Sequence, residues 1–166
     1  MAATFTWTQE YGASGSSTKS DLGISGNLFN FKNADDATAA NYTTYPVVAG
    51  TNSYDVWLLG KFTGSFNKVD NTQFWMSTDF SPNTGLTVQW SCQDAYQTPS
   101  TGDTYASAAI PTADPGSQNV SITGDTTGCL EASGYTDWIV LQLQTTTGAA
   151  AGDTSLATFS LQYDEQ

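Results

Sequence analysis

The sequence predicts an all-β single domain, an antiparallel β-sandwich of jelly-roll type with about eight strands. Three observations lead there. Apolar residues recur at every second position in short segments. Gly-Asp-Thr turns, at 102–104, 124–126 and 152–154, separate several of those segments. Finally, only residues 34–40, Ala-Asp-Asp-Ala-Thr-Ala-Ala, offer even a turn or two of helix. A chain of 166 residues is the natural size for one domain, taken as 1–166, and it can bury a core without help from a metal.

Each strand has its own pattern. Residues 4–10 alternate, with Phe5 and Trp7 on one face. Residues 27–31 place Phe29 and Phe31 together, and 53–62 supply Tyr54, Val56 and Leu58 to one face and Trp57 and Leu59 to the other. Residues 69–78 carry Phe74, Trp75 and Met76; 86–90 align Leu86, Val88 and Trp90; 119–123 form a short strand. Residues 135–147 are the strongest segment, with Ile139, Leu141 and Leu143 opposite Trp138, Val140 and Gln142. Residues 156–163 close the set with Phe159, Leu161 and Tyr163. Between them, 11–26 and 94–117 read as long loops, the second with room for a short strand near 104–110, and 145–153 as a hairpin tip.

Composition excludes whole classes of function. The chain contains no histidine and no arginine, and four lysines face sixteen carboxylates, for a net charge of -12. Without histidine there is no Ser-His-Asp or Cys-His catalytic site, and two cysteines alone make no zinc site. Lys19, Lys32, Lys61 and Lys68 are scattered, so no basic stripe exists to release counterions from nucleic acid or to meet an anionic membrane. The first ten residues hold no cationic region and no apolar run, which predicts no secretory signal. No segment reaches the length of a membrane span. No cofactor is expected, because neither a G-x-G-x-x-G nor a P-loop is present.

Four groups of residues carry the remaining chemistry. Asp55 and Asp137 sit inside predicted strands beside tryptophans, the best acid–base pair for glycoside cleavage, against the reading that both face solvent on a polar face. Single carboxylates at the Gly-Asp-Thr turns, Asp103, Asp125 and Asp153, give only a weak calcium pattern. Cys92 and Cys129 admit two readings, a disulfide worth about 4 kcal/mol by chain entropy or two buried free thiols. Trp57 and Trp75 are the candidate aromatic surface, able to stack on a sugar or to anchor an interface; as strand residues they equally suit a core.

One stretch carries a resemblance. Residues 45–75, YPVVAGTNSYDVWLLGKFTGSFNKVDNTQFW, resemble a segment of tailed-bacteriophage structural proteins: Pro then Ala-Gly, Asn-Ser-Tyr, an aromatic strand, Phe-Asn and a Phe-Trp strand. The resemblance implies a non-enzymatic virion protein of the capsid decoration (cement) type, with a tail or neck component as the near alternative. It implies as partners the major capsid protein and further copies of the chain, a trimer favoured. It carries over no individual site residue. A carbohydrate-binding or host-adhesion module is the other reading of the same aromatic, acidic β chain.

Overall fold

Val56, Trp57, Leu58 and Leu59 are consecutive, and all four are buried. Side chains in a strand alternate between faces, so a run like this requires a cover on both sides of its sheet. The computed structural model, which describes residues 2–26, 28–124, 127–150 and 154–166, shows how both covers arise. The strands are β1 (Ala3–Tyr11), β2 (Thr18–Gly23), β3 (Val56–Gly64), β4 (Val69–Thr78), β5 (Leu86–Gln93), β6 (Ala108–Ala109), β7 (Gly134–Tyr135), β8 (Trp138–Thr145) and β9 (Thr158–Glu165). A main sheet runs β2-β1-β3-β8-β5-β6, with β7 also paired to β3, and β4-β9 forms a separate two-stranded ribbon. All pairings are antiparallel. The all-β sandwich expected from the sequence is therefore what forms, with its strands divided seven and two.

The ribbon covers one face of the main sheet. Trp7, Val56, Leu58, Val88, Ile139 and Leu141 of the sheet meet Phe74 and Met76 of the ribbon in the principal core. Aromatic contacts join the layers, with Phe74 edge-on to Trp7 and tilted against Trp90, each at 6.0 Å, while Phe74 lies parallel to Phe159 within the ribbon. Gly60 lies opposite Trp7 in the register, and a Cβ there would come within 3.2 Å of the Phe5 ring. Its missing side chain leaves room for the Phe5 ring over the strand. A smaller core of Phe62, Val69, Ile122 and Leu130 seals the far end of the layers.

Chain without regular structure covers the opposite face. Tyr96, Tyr105 and Ala106 pack over Trp57 and Val140, and Trp57 meets the two tyrosine rings at 5.2 and 5.3 Å. Asp55 pins this cover: its backbone N–H donates to the Ser100 carbonyl at 2.9 Å, while its carboxylate accepts from the Ser100 N–H at 3.1 Å. Within 94–117, residues 96–106 thus form this cover, whereas β6 joins the main sheet beside β5 and Ile110 turns into the principal core.

Several local expectations change. The 11–26 segment, expected to be loop, contains β2, an edge strand whose one apolar side chain, Leu22, gave no alternation to read. Residues 28–31 form no strand; Phe29 and Phe31 instead pack edge-on at 5.7 Å, and Asn30 donates its amide to the Ala39 carbonyl. Asn27 lies outside the described residues. No strand forms at 119–123 either, because the Asn119 side chain takes the ladder bonds, accepting from Phe74 N–H at 2.8 Å and donating to Phe74 C=O at 2.9 Å. The predicted 135–147 strand is broken at Thr136 and Asp137. A short 3-10 helix occupies Ala39–Thr43 rather than 34–40, since the Asp36 carboxylate captures the Thr38 N–H at 2.7 Å and stops an earlier start.

The cysteines stay apart. Cys92 and Cys129 are both free thiols, so the disulfide reading gives way, but only Cys129 is fully buried and Cys92 is half-buried. Cys92 packs on the principal core and accepts from the Ser121 N–H at 3.3 Å, and burial holds its thiol pKa above the ordinary value. Cys129 is buried beside Thr127, 2.9 Å from its hydroxyl.

Candidate functional site, an uncharged apolar cleft

At the end of the sandwich where β8 finishes and β5 and β9 begin, the two layers do not close. Loops 24–31, 42–49 and 154–157 frame a cleft of about 1210 Å³ that reaches Trp7 and Leu58 on the sheet. Its aromatic wall is Phe29, Phe31, Phe80 and Phe159, joined by ring contacts of 5.5 to 6.4 Å. Phe159 continues through Phe74 into the core. The local sequence explains this wall. Because 28–31 are not held in a sheet, both phenylalanines swing toward the ribbon instead of alternating across it.

No charged side chain lines the cleft among the described residues, although twenty of the 166 residues are charged. Four of its polar side chains are bonded to the chain itself. Asn30 and Thr43 donate to backbone carbonyls, the Thr145 hydroxyl donates to Thr51 C=O at 2.8 Å, and the Ser155 hydroxyl accepts from the Ser81 N–H. Around the mouth stand large apolar side chains in water: Ile24 is 68%, Val48 61% and Leu156 65% exposed, with Tyr45 beside them in sequence at 45%. Left empty, an apolar hollow this large would cost on the order of 30 kcal/mol, more than the stability of most domains. It therefore stands open to solvent or holds an apolar occupant.

The frame of the cleft is fixed by a buried cation. Lys32 is 4% exposed, and its ammonium donates to the Asp36 carboxylate at 2.7 Å and to the Thr38 carbonyl at 2.8 Å. Burial pushes the Asp36 pKa up, but hydrogen bonds from Lys32, Asn41 and the Thr38 N–H outweigh it and hold the group below the ordinary value. The sequence suggested no more for Lys32 than one of four scattered lysines.

The residues singled out from the sequence fall elsewhere. Trp57 is fully buried, so it is neither a sugar platform nor an interface anchor; β3 is covered on both faces. Trp75 is half-buried on the outer side of the ribbon, paired with Ser160, and is the one of the two with an accessible ring. Asp55 and Asp137 do not face solvent, being 3% and 5% exposed. Asp55 also accepts from the Gln142 amide at 3.2 Å, and Asp137 accepts from the N–H and hydroxyl of Thr123 at 3.0 and 2.8 Å. Nor are they a pair. Asp55 precedes β3, whereas Asp137 follows Thr136, which bonds Gly60. That offset along the strand is about 16 Å, well beyond the roughly 5–9.5 Å between glycosidase carboxylates. Asp103 is one exposed carboxylate; Asp125 and Asp153 lie outside the described residues. Among the described residues no three acidic or cysteine side chains group to hold a metal.

A second, more polar hollow of about 590 Å³ includes Lys19, Asp94, Tyr135 and Trp138. The Lys19 ammonium sits 5.0 Å from the Tyr135 ring centre and 5.5 Å from that of Trp138, and 3.5 Å from the Glu10 carboxylate. Glu10 in turn accepts from the Trp138 indole at 2.7 Å and from Ser17 at 2.6 Å. This network ties β2 to β1 and β8, and its aromatic faces are already occupied by the chain's own cation.

Part of the apolar rim left a faint trace in the sequence: Ile24 and Leu156 each stand between small residues, Gly23 and Ser25 in one case and Ser155 and Ala157 in the other. Comparison with known proteins finds no family model, no curated protein and no solved structure that matches the chain.

Proposed function

We propose that the protein is a non-enzymatic structural protein of a virion, a capsid decoration protein that docks on the head and bridges neighbouring capsid subunits. The observation that carries this reading is the rim of Ile24, Val48 and Leu156 at one end of a chain of net charge -12. Elsewhere the negative charge keeps free copies soluble and apart. At the rim an uncharged apolar surface offers the contact that a specific interface needs at its centre. Tyr45 and Val48 belong to the stretch that resembles phage structural proteins. A trimer at a three-fold position would present three such rims at once.

Purified heads incubated with the protein should retain it in a fixed, symmetry-related ratio to the major capsid protein, counted by mass spectrometry. Val48→Asp with Leu156→Asp should lower that occupancy severalfold without changing the fold. Recovery only with tails, or with no particle component, would reject the capsid assignment.

A further inference from the structure

We propose that the hollow behind the rim is a binding site for a neutral, slender apolar molecule of the long-chain alcohol or hydrocarbon class. This stands apart from the capsid reading, since the rim can dock with the hollow behind it filled. Three observations support it. The cleft descends past exposed Val48 and Leu156 to Trp7 and Leu58, which are core residues, so its floor suits a thin molecule better than a protein segment. Its volume of about 1210 Å³ exceeds the roughly 300–1,000 Å³ usual for small-ligand pockets, leaving room for an extended chain.

The third observation is charge. With no lysine and no carboxylate among the described lining residues, and with Asn30, Thr43, Thr145 and Ser155 already bonded to the chain, these residues offer an ionic headgroup no charged partner. An anionic head would also meet the field of a -12 chain. A neutral alkyl or aryl body displaces poorly bonded water and loses no hydrogen bond of its own.

The test uses the full chain and the neutral fluorescent probe N-phenyl-1-naphthylamine. The expected result is saturable binding of one probe per chain, with energy transfer from tryptophan because Trp7 lines the cleft. Dodecanol should displace the probe, and laurate should do so about tenfold less well. Val48→Asp and Leu156→Asp lie on exposed positions and should each weaken probe binding about tenfold, with the urea midpoint unchanged. Three results would overturn the proposal: no saturable binding, equal displacement by laurate, or unaltered affinity in both rim variants. Sedimentation in the same buffer adds a fourth. An oligomer that excludes the probe and dissociates in Leu156→Asp would show that a second copy covers the cleft instead.

Discussion

Acidification from pH 7 to pH 5 should stabilise this protein, and Asp55 is the reason. Its carboxylate is 3% exposed, and burial, together with the nearby Asp35 charge, raises its pKa to about 6 despite hydrogen bonds from Ser100. The unfolded chain holds the same group near 3.8. A group whose folded pKa is raised binds its proton more tightly when folded, so stability grows as pH falls through about 6 and levels off below 3.8. The full gap is worth about 3 kcal/mol, and the part gained between pH 7 and pH 5 about 1.3 kcal/mol. With an m-value of about 2 kcal/mol/M, the urea midpoint should rise by about 0.6 M. Asp35, also raised mainly by burial, adds in the same direction. Asp21 and Asp36, lowered by their partners, act in the opposite sense, and chiefly below about pH 5. The measurement is urea unfolding followed by tryptophan fluorescence at pH 7, 6 and 5, in the wild type, Asp55→Asn and Asp35→Asn. Asp55→Asn should remove most of the slope and Asp35→Asn part of it. A wild-type midpoint that falls with acidification, or a slope undiminished in Asp55→Asn, would refute the assignment.

Three further outcomes follow from the packing. Asp36→Ala strands the Lys32 ammonium and should cost about 3 kcal/mol, at the lower edge for breaking a buried pair because Asp36 is partly wet. Lys32→Met combined with Asp36→Ala should recover much of that loss in thermal unfolding. Asn71 has φ 50° at the bulge of β4 and donates to Asp164; Asn71→Val should cost about 1–2 kcal/mol and Asn71→Gly much less. Alkylation in denaturant without reductant should label both Cys92 and Cys129, whereas an unlabelled chain lighter by two hydrogens would reveal a disulfide.

The elements legible in the sequence were those whose side chains settle on a core. Trp7, Phe74, Val88 and Leu141 alternate because the layers demand it, and β1, β4, β5 and β8 follow. What escaped was structure held by polar side chains. Asn119 imitates a strand for β4, and Asp55 fastens a loop as firmly as a sheet edge, and neither leaves a periodic signature. Trp57 misled because a residue buried on the second face of a strand looks, in sequence, like one exposed there. Telling them apart needs the position of Tyr96 and Tyr105, 39 and 48 residues further along the chain. The cleft escaped for a related reason, since Phe29, Phe80 and Leu156 come from three loops with no shared pattern.

The strand order has a consequence for how the protein is made. The centre of the sheet joins β3 to β8, so the midpoint of the fold waits for a strand synthesised much later, and β9 must follow before the ribbon covers the core. Until then Val56, Leu58 and Phe62 lie open on a chain still being extended, the sort of delay that distant pairing imposes. A strongly negative chain meets that interval with its neighbours held at a distance. The charge that suits the finished surface also guards the unfinished one.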